Sequence, residues 1–130
     1  MSAWVALATV GGGTLLVRRW LRAGQSAPAQ VQDITKAGDL FALAAGWLRS
    51  GDVNAARRAL DLIGAEGWRF AYNEVVLPSP VPRVTAMAGR MSPSALLSVP
   101  PGVSPGLDRL AQVETLVAIA NEIKGRTWRY

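Results

Sequence analysis

The distribution of proline constrains the fold of this chain more than any other feature of its sequence. Seven of its eight prolines lie between Pro78 and Pro105. Proline fixes one backbone dihedral and lacks an N–H group, so this stretch is expected to be extended rather than a long helix or a central strand. We predict that residues 78–103 form a partner-binding arm laid on a neighbouring subunit, or else a long irregular loop on the protein's own surface. The apolar side chains assigned to the arm are Val81, Leu96, Leu97 and Val99.

The first 17 residues contain no charged side chain, and Arg18, Arg19 and Arg22 follow almost at once. A run of this length is at the short end of the range of about 17–25 residues that span a bilayer. Arginines on its C-terminal side place the rest of the chain on the cytoplasmic or interior side. We predict a membrane anchor helix over residues 1–23, while burial in an oligomer core and a hinge at the glycines of residues 11–13 remain alternatives. The anchor residues are Trp4, Val5, Leu7, Val10, Leu15, Leu16, Val17, Arg18, Arg19 and Trp20.

Beyond a polar linker at residues 24–34, apolar residues recur at helical spacing and predict a two-helix hairpin within residues 35–77. Thr35 is the expected N-cap of the first helix, Gly51 ends it, and Asp52 caps the second. Small alanines opposite a large tryptophan would let the two helices pack closely. The residues predicted to pack the hairpin are Leu40, Leu43, Ala44, Trp47, Gly51, Ala56 and Leu60.

In this alternation of large and small positions around a Gly-Asp turn, residues 36–66 resemble a single tetratricopeptide-type repeat. The sequence departs from the family pattern at Ile63, where a small residue is favoured, and at Trp68, where proline is favoured. The resemblance implies binding of peptides or partner proteins. Because about three such repeats are normally needed for stability, it also implies that other parts of this chain, other copies or another protein cover the hairpin.

Trp68, Phe70 and Tyr72 alternate with other residues at the period of a strand, so residues 68–77 are predicted to be extended or β. The stretch 81–87 is a possible edge partner. Arg69 among these aromatics also suits stacking on single-stranded nucleic acid. A strand with its aromatic face in the core is the favoured explanation, because aromatic alternation is the ordinary signal of a strand.

The clearest helix is predicted within residues 104–130, with Ser104 as N-cap, Pro105 in the first position and an end at Lys124 and Gly125. It is amphipathic, and a short tail follows it. The residues that form its predicted seam are Leu110, Val113, Val117 and Ala120.

The chain has neither cysteine nor histidine, which removes thiol and imidazole chemistry. Its nine acidic residues form no recognisable motif, so we predict no enzymatic activity, no cofactor and no metal site. The expected protein is mainly α-helical and acts as a structural subunit in a homo-oligomer or hetero-assembly with other proteins at a membrane, such as a phage virion or a bacterial envelope complex. With a net charge of +5, the alternative is a nucleic-acid-associated protein that oligomerises through its apolar helices.

Overall fold

The computed structural model describes residues 33–127, and this part of the chain is mainly helical and contains no strand. The mainly α fold class is thereby confirmed for these residues. The helices are α1 (Ile34–Ser50), α2 (Val53–Asp61), α3 (Ala65–Phe70), α4 (Pro82–Thr85), α5 (Pro93–Leu97) and α6 (Pro105–Thr127), with a π-helical segment (Ala71–Val76) after α3 and a 3₁₀ segment (Ala86–Arg90) after α4.

The predicted anchor at residues 1–23, most of the linker and the last three residues lie outside the described part of the chain. Among the helices of residues 33–127, none combines the length and the apolarity needed to cross a bilayer. The membrane prediction therefore rests on the sequence of residues 1–23.

Helix α1 begins one residue before the predicted N-cap. The carboxylate of Asp33, not Thr35, caps it by accepting a hydrogen bond of 2.8 Å from the Thr35 N–H. The helix ends at Gly51, whose φ of 88° is the left-handed conformation that glycine adopts at low cost. Asp52 then caps α2 by accepting a hydrogen bond from the Ala55 N–H at 3.0 Å, as predicted.

The predicted two-helix hairpin is confirmed by α1 and α2. Its contact is built from small side chains, because Ala44 and Ala56 are both fully buried and leave room for Trp47 and Leu60. Of the residues assigned to hairpin packing, Leu40, Ala44, Trp47, Ala56 and Leu60 are buried, Leu43 is half-buried and Gly51 forms the turn.

Helix α1 has its most extensive contact with α6, which makes these two helices the centre of the fold. Helix α6 starts at Pro105 as predicted and continues past Gly125 to Thr127. Leu116, Ile119 and Ile123 form its fully buried face. At Gly38 the helices approach so closely that an added Cβ would lie 2.9 Å from Cγ2 of Ile123.

The predicted strand over residues 68–77 is wrong, since residues 68–76 belong to α3 and the π-helical segment and Leu77 lies in the turn that follows. The buried positions Gly67, Ala71 and Val75 recur every four residues, which is helical spacing. The aromatic residues alternate in sequence but do not share a buried face. Trp68 is half-buried and packs edge-to-face on Phe41, with ring centroids 5.3 Å apart, while Tyr72 is exposed.

The extended conformation expected of the proline-rich segment is wrong for residues 82–97, which form α4, the 3₁₀ segment and α5. Pro82 and Pro93 occupy the first turns of α4 and α5, where a missing N–H breaks no helical hydrogen bond. The segment also contributes to the chain's own core. Val84, Met87 and Leu96 are each at most 2% exposed.

The close approach at Gly38 predicts opposite effects for two identical substitutions in α1. Gly38→Ala should lower the free energy of unfolding by about 1–2 kcal/mol, because the strain against the β-branched Ile123 outweighs the gain in helix propensity. Gly46→Ala is the matched control. An added Cβ there meets nothing within 4 Å, so this variant should be about 0.5–1 kcal/mol more stable than the parent. Urea unfolding of both variants measures the difference, and a stabilised Gly38→Ala would contradict the α1–α6 contact.

Candidate docking groove

An open groove of about 970 Å³ runs beside α6 and is the candidate functional site of the described residues. One wall is α6, the other consists of α4 and the 3₁₀ segment, and the last turn of α1 and the loop before α6 complete it. We call this surface the docking groove. It is lined by Arg49, Arg83, Ala86, Met87, Arg90, Pro100, Val103, Leu107, Asp108, Leu110, Ala111, Val113, Glu114 and Val117.

Two leucines of the docking groove are unusually exposed for side chains on an ordered helix. Leu107 is 66% and Leu110 is 62% exposed, and Val103 beside them is 41% exposed. Single exposed apolar residues are ordinary on protein surfaces, but a cluster of them along a groove typically marks an interaction site. The groove therefore presents apolar area that the described fold leaves in solvent.

The floor of the groove contains a buried ion pair between Arg90 of the 3₁₀ segment and Asp108 of α6. The guanidinium donates two parallel hydrogen bonds of 2.8 Å to the carboxylate, and the two side chains are 18% and 5% exposed. Arg90 also donates to the carbonyl oxygens of Ala95 at 3.2 Å and Leu96 at 3.1 Å, and to that of Ser98. The Arg90 side chain thus provides hydrogen-bond donors for the carbonyl groups at the C-terminal end of α5 and joins this end to α6.

The ion pair extends into α6 and toward α1. Gln112, which is 1% exposed, donates to Asp108 at 2.9 Å and accepts a hydrogen bond of 3.1 Å from Arg109. Arg109 in turn reaches the carbonyl of Leu48 at 3.5 Å. Buried polar groups are costly unless they are hydrogen-bonded, and here each member has a partner.

These contacts determine the protonation states of Asp108 and Arg90. The hydrogen bonds from Arg90, assisted by Gln112, lower the pKa of Asp108 below its ordinary value, although burial acts in the opposite direction. The same pair raises the pKa of Arg90. Asp108 is therefore ionised and engaged as a hydrogen-bond acceptor, not a proton donor, at neutral pH.

A second ion pair bridges the two walls of the groove. Arg83 of α4 donates a hydrogen bond of 2.8 Å to Glu114 of α6, which lowers the pKa of Glu114. Arg49, at the end of α1, differs from the other charged lining residues. Its guanidinium takes part in none of the hydrogen bonds and ion pairs found within residues 33–127.

The predicted α6 seam and the predicted arm fall in different places. Leu110, Val113 and Val117 line the docking groove, whereas Ala120 is 3% exposed and belongs to the core.

In the arm, Leu96 is fully buried in its own chain and so is not available to a neighbour. The remaining arm residues are Val81 and Leu97, which are half-buried, and Val99, which is exposed. Pro100 and Val103 connect this segment to the groove.

The aromatic stretch proposed for nucleic-acid stacking is not an open platform. Trp68 is engaged with Phe41, and the guanidinium of Arg126 lies 5.2 Å from the centre of the Phe70 ring. Arg126 also forms ion pairs with Glu74 and Glu122. The aromatic faces that a nucleobase would use are thus partly covered by the protein itself.

Sequence reasoning missed the Arg90–Asp108–Gln112 network. No role is assigned from the sequence to Asp108, which lies in the first turn of α6, where an aspartate commonly serves only to interact favourably with the helix dipole. A signal was present in the spacing of Asp108 and Gln112, since polar residues at i and i+4 share a helix face and here interrupt the buried stripe that continues to Leu116. Nothing in the sequence identifies Arg90 as their partner.

The buried ion pair predicts a pH-dependent effect of Asp108→Asn. The variant should lose about 2–4 kcal/mol of stability at pH 7, since Arg90 keeps a largely buried charge without its counter-charge. The pKa of Asp108 is lowered on folding. Its contribution to the free energy of unfolding is therefore complete above the ordinary aspartate pKa of about 3.9, and it is lost as the pH falls through the lower pKa of the folded state. Urea unfolding at several pH values should therefore show that the free energies of unfolding of the parent and the variant converge in acid.

Asp61→Asn is the matched control, because Asp61 forms an exposed ion pair with Arg57 in α2. Such pairs contribute about 0–1 kcal/mol. Equal losses for Asp108→Asn and Asp61→Asn, or a gap that does not narrow toward low pH, would contradict the assigned role of Asp108.

Comparisons with known proteins do not place the chain in a family. No family model, no curated protein and no solved structure matched it. The likeness of residues 36–66 to a tetratricopeptide-type repeat is therefore a resemblance in residue pattern, and the function is inferred from the geometry of the docking groove.

Proposed function

We propose that this chain is a non-enzymatic assembly subunit that binds another protein through the docking groove and is held at a membrane by residues 1–23. The observation that carries the proposal is the exposure of Leu107 and Leu110 beside the groove. A phage virion or a bacterial envelope complex is the kind of assembly in which such a subunit would serve.

The two faces of α6 support a docking role. Leu116, Ile119 and Ile123 on one face are buried in the fold, whereas Leu107 and Leu110 contribute little to that core. A leucine gains about 1.5–3 kcal/mol when it is fully buried, and contact with a second protein would supply that gain here.

The charged side chains of the groove support binding over catalysis. Arg90 and Asp108 hold α5 and α6 together, and Arg83 pairs with Glu114 across the walls. Acid–base catalysis needs a group that exchanges protons near neutral pH, whereas these pairs favour the charged form of both partners.

The proposed anchor is supported by the distribution of charge along the chain. All nine acidic residues lie within residues 33–127, together with ten of the fourteen lysines and arginines, so the described part has a formal charge of +1. Residues 1–32 contain only arginines among the charged residue types, and all three follow the uncharged run. This pattern is typical of a membrane segment with its flanking charges on the cytoplasmic side.

A nucleic-acid-associated role has less support from the described residues. Four arginines, namely Arg57, Arg83, Arg90 and Arg126, are paired with carboxylates, which compete with phosphate for the guanidinium.

Two double variants test the proposal and act as controls for each other. Leu15→Arg/Leu16→Arg should abolish flotation of the full chain with phosphatidylcholine vesicles, because each arginine adds about 2.5–3.5 kcal/mol to the cost of insertion. Leu107→Arg/Leu110→Arg should leave flotation intact and change the free energy of unfolding by no more than about 0.5–1 kcal/mol, since both side chains are already in solvent. Unchanged flotation of the first variant would contradict the anchor. Unfolding of the second would show that the two leucines serve the fold and not a partner.

A further inference from the structure

The docking groove is long enough to hold nearly three turns of a bound helix. Its α6 wall runs from Leu107 to Val117, a rise of about 15 Å, or nearly three helical turns. Two small side chains, Ala86 and Ala111, lie on opposite walls and permit close approach of a backbone. Larger apolar side chains beside them would meet residues that repeat every three or four positions on a bound helix.

The charge of the groove indicates what the occupant must carry. Arg83 and Arg90 are already paired with carboxylates of this chain, whereas Arg49 has no such partner among residues 33–127. An exposed guanidinium beside an apolar surface favours a carboxylate, which it can bind with two parallel hydrogen bonds.

Building on the proposed function, we infer that the docking groove binds an acidic amphipathic α-helix of a different protein. The apolar stripe of that helix covers Leu107, Leu110 and Val103, and one of its flanking carboxylates pairs with Arg49. Apolar burial supplies the affinity, and the pairing with Arg49 orients the helix and selects acidic partners.

Charge complementarity favours a different protein over the chain itself. Residues 1–32 contain no aspartate or glutamate that could reach Arg49. A second copy that docks groove to groove would offer Arg49 no free carboxylate, because Asp108 and Glu114 of the groove are already engaged by Arg90 and Arg83.

Selection from a peptide library tests the inference on the full chain. Phage-displayed, helix-favouring peptides of about 16 residues, or some four turns, are selected on the parent protein and counter-selected on Leu110→Ser. We expect enriched peptides with apolar residues at i, i+3 or i+4, and i+7, and an excess of acidic residues on the flanks. Fluorescence anisotropy with one enriched peptide then gives the affinity of each variant.

Leu110→Ser should weaken that affinity at least about tenfold, the usual effect of removing a central apolar contact. Arg49→Glu should weaken it about fivefold or more, with a difference that shrinks as salt is added. Arg69→Glu is the matched control, because Arg69 is also exposed and lies outside the groove. It should leave the affinity unchanged.

Each contrary result has a distinct meaning. Enriched peptides without an acidic excess, or equal losses for Arg49→Glu and Arg69→Glu, would overturn the acidic partner but leave the groove as a docking surface. A dimer of the full chain that Leu110→Ser dissociates would overturn the inference in favour of a second copy. No enrichment over the counter-selection would remove the groove as a docking surface and with it the proposed function.

Discussion

The ion pair between Arg90 and Asp108 is the interaction on which the position of the proline-rich segment, and with it the docking groove, depends. The segment between α3 and α6 contains only short helices, and its prolines remove backbone donors that longer elements would use. Arg90 compensates by donating to three carbonyls at the end of α5 while its charge is neutralised by Asp108 of α6. The segment is thereby held against α6, the longest helix within residues 33–127.

The docking groove follows from this fastening. Val84, Met87 and Leu96 are buried in the core, and α4 and the 3₁₀ segment contact α6. The strip of α6 that includes Leu107 and Leu110 stays exposed and forms the opposite wall of the groove. The proline-rich segment, which the sequence suggested as a binding arm, thus forms one wall of the docking groove. The candidate contact residues are the exposed leucines of α6, because Leu96 is buried in its own chain.

Local signals explain which parts of the fold could be predicted from the sequence. The hairpin turn depends on Gly51 and Asp52, whose roles in helix termination and capping are encoded within a few residues. The start of α6 at Pro105 is equally local. The alternation of Trp68, Phe70 and Tyr72 led to the wrong prediction of a strand, because a period of two over three residues can also arise by chance. The small buried residues Gly67 and Ala71, four positions apart, have the spacing of a helix.

The candidate site was less predictable because it depends on contacts that are distant in sequence. The α6 residues Leu110, Val113 and Val117 were identified as an apolar seam, but only the position of α4 shows that they line a groove instead of packing in the core. Arg90 and Asp108 lie 18 residues apart, and no spacing rule connects them across an intervening helix and loop. Single-sequence patterns carry no information of that kind.

Amide hydrogen exchange at α5 tests most directly whether the proline-rich segment is part of the fold. The N–H of Leu96 donates a hydrogen bond of 2.9 Å to the carbonyl oxygen of Ser92, and the N–H of Ser98 donates one of 3.1 Å to the carbonyl oxygen of Ser94. Both lie in the segment that Arg90 binds. In the full chain at high dilution, these amides should be protected nearly as strongly as those around Ala120 in α6, because both open only when the core opens. Exchange of Leu96 and Ser98 at the rate of an unstructured peptide, with α6 still protected, would contradict the account and indicate an arm that orders only against a partner.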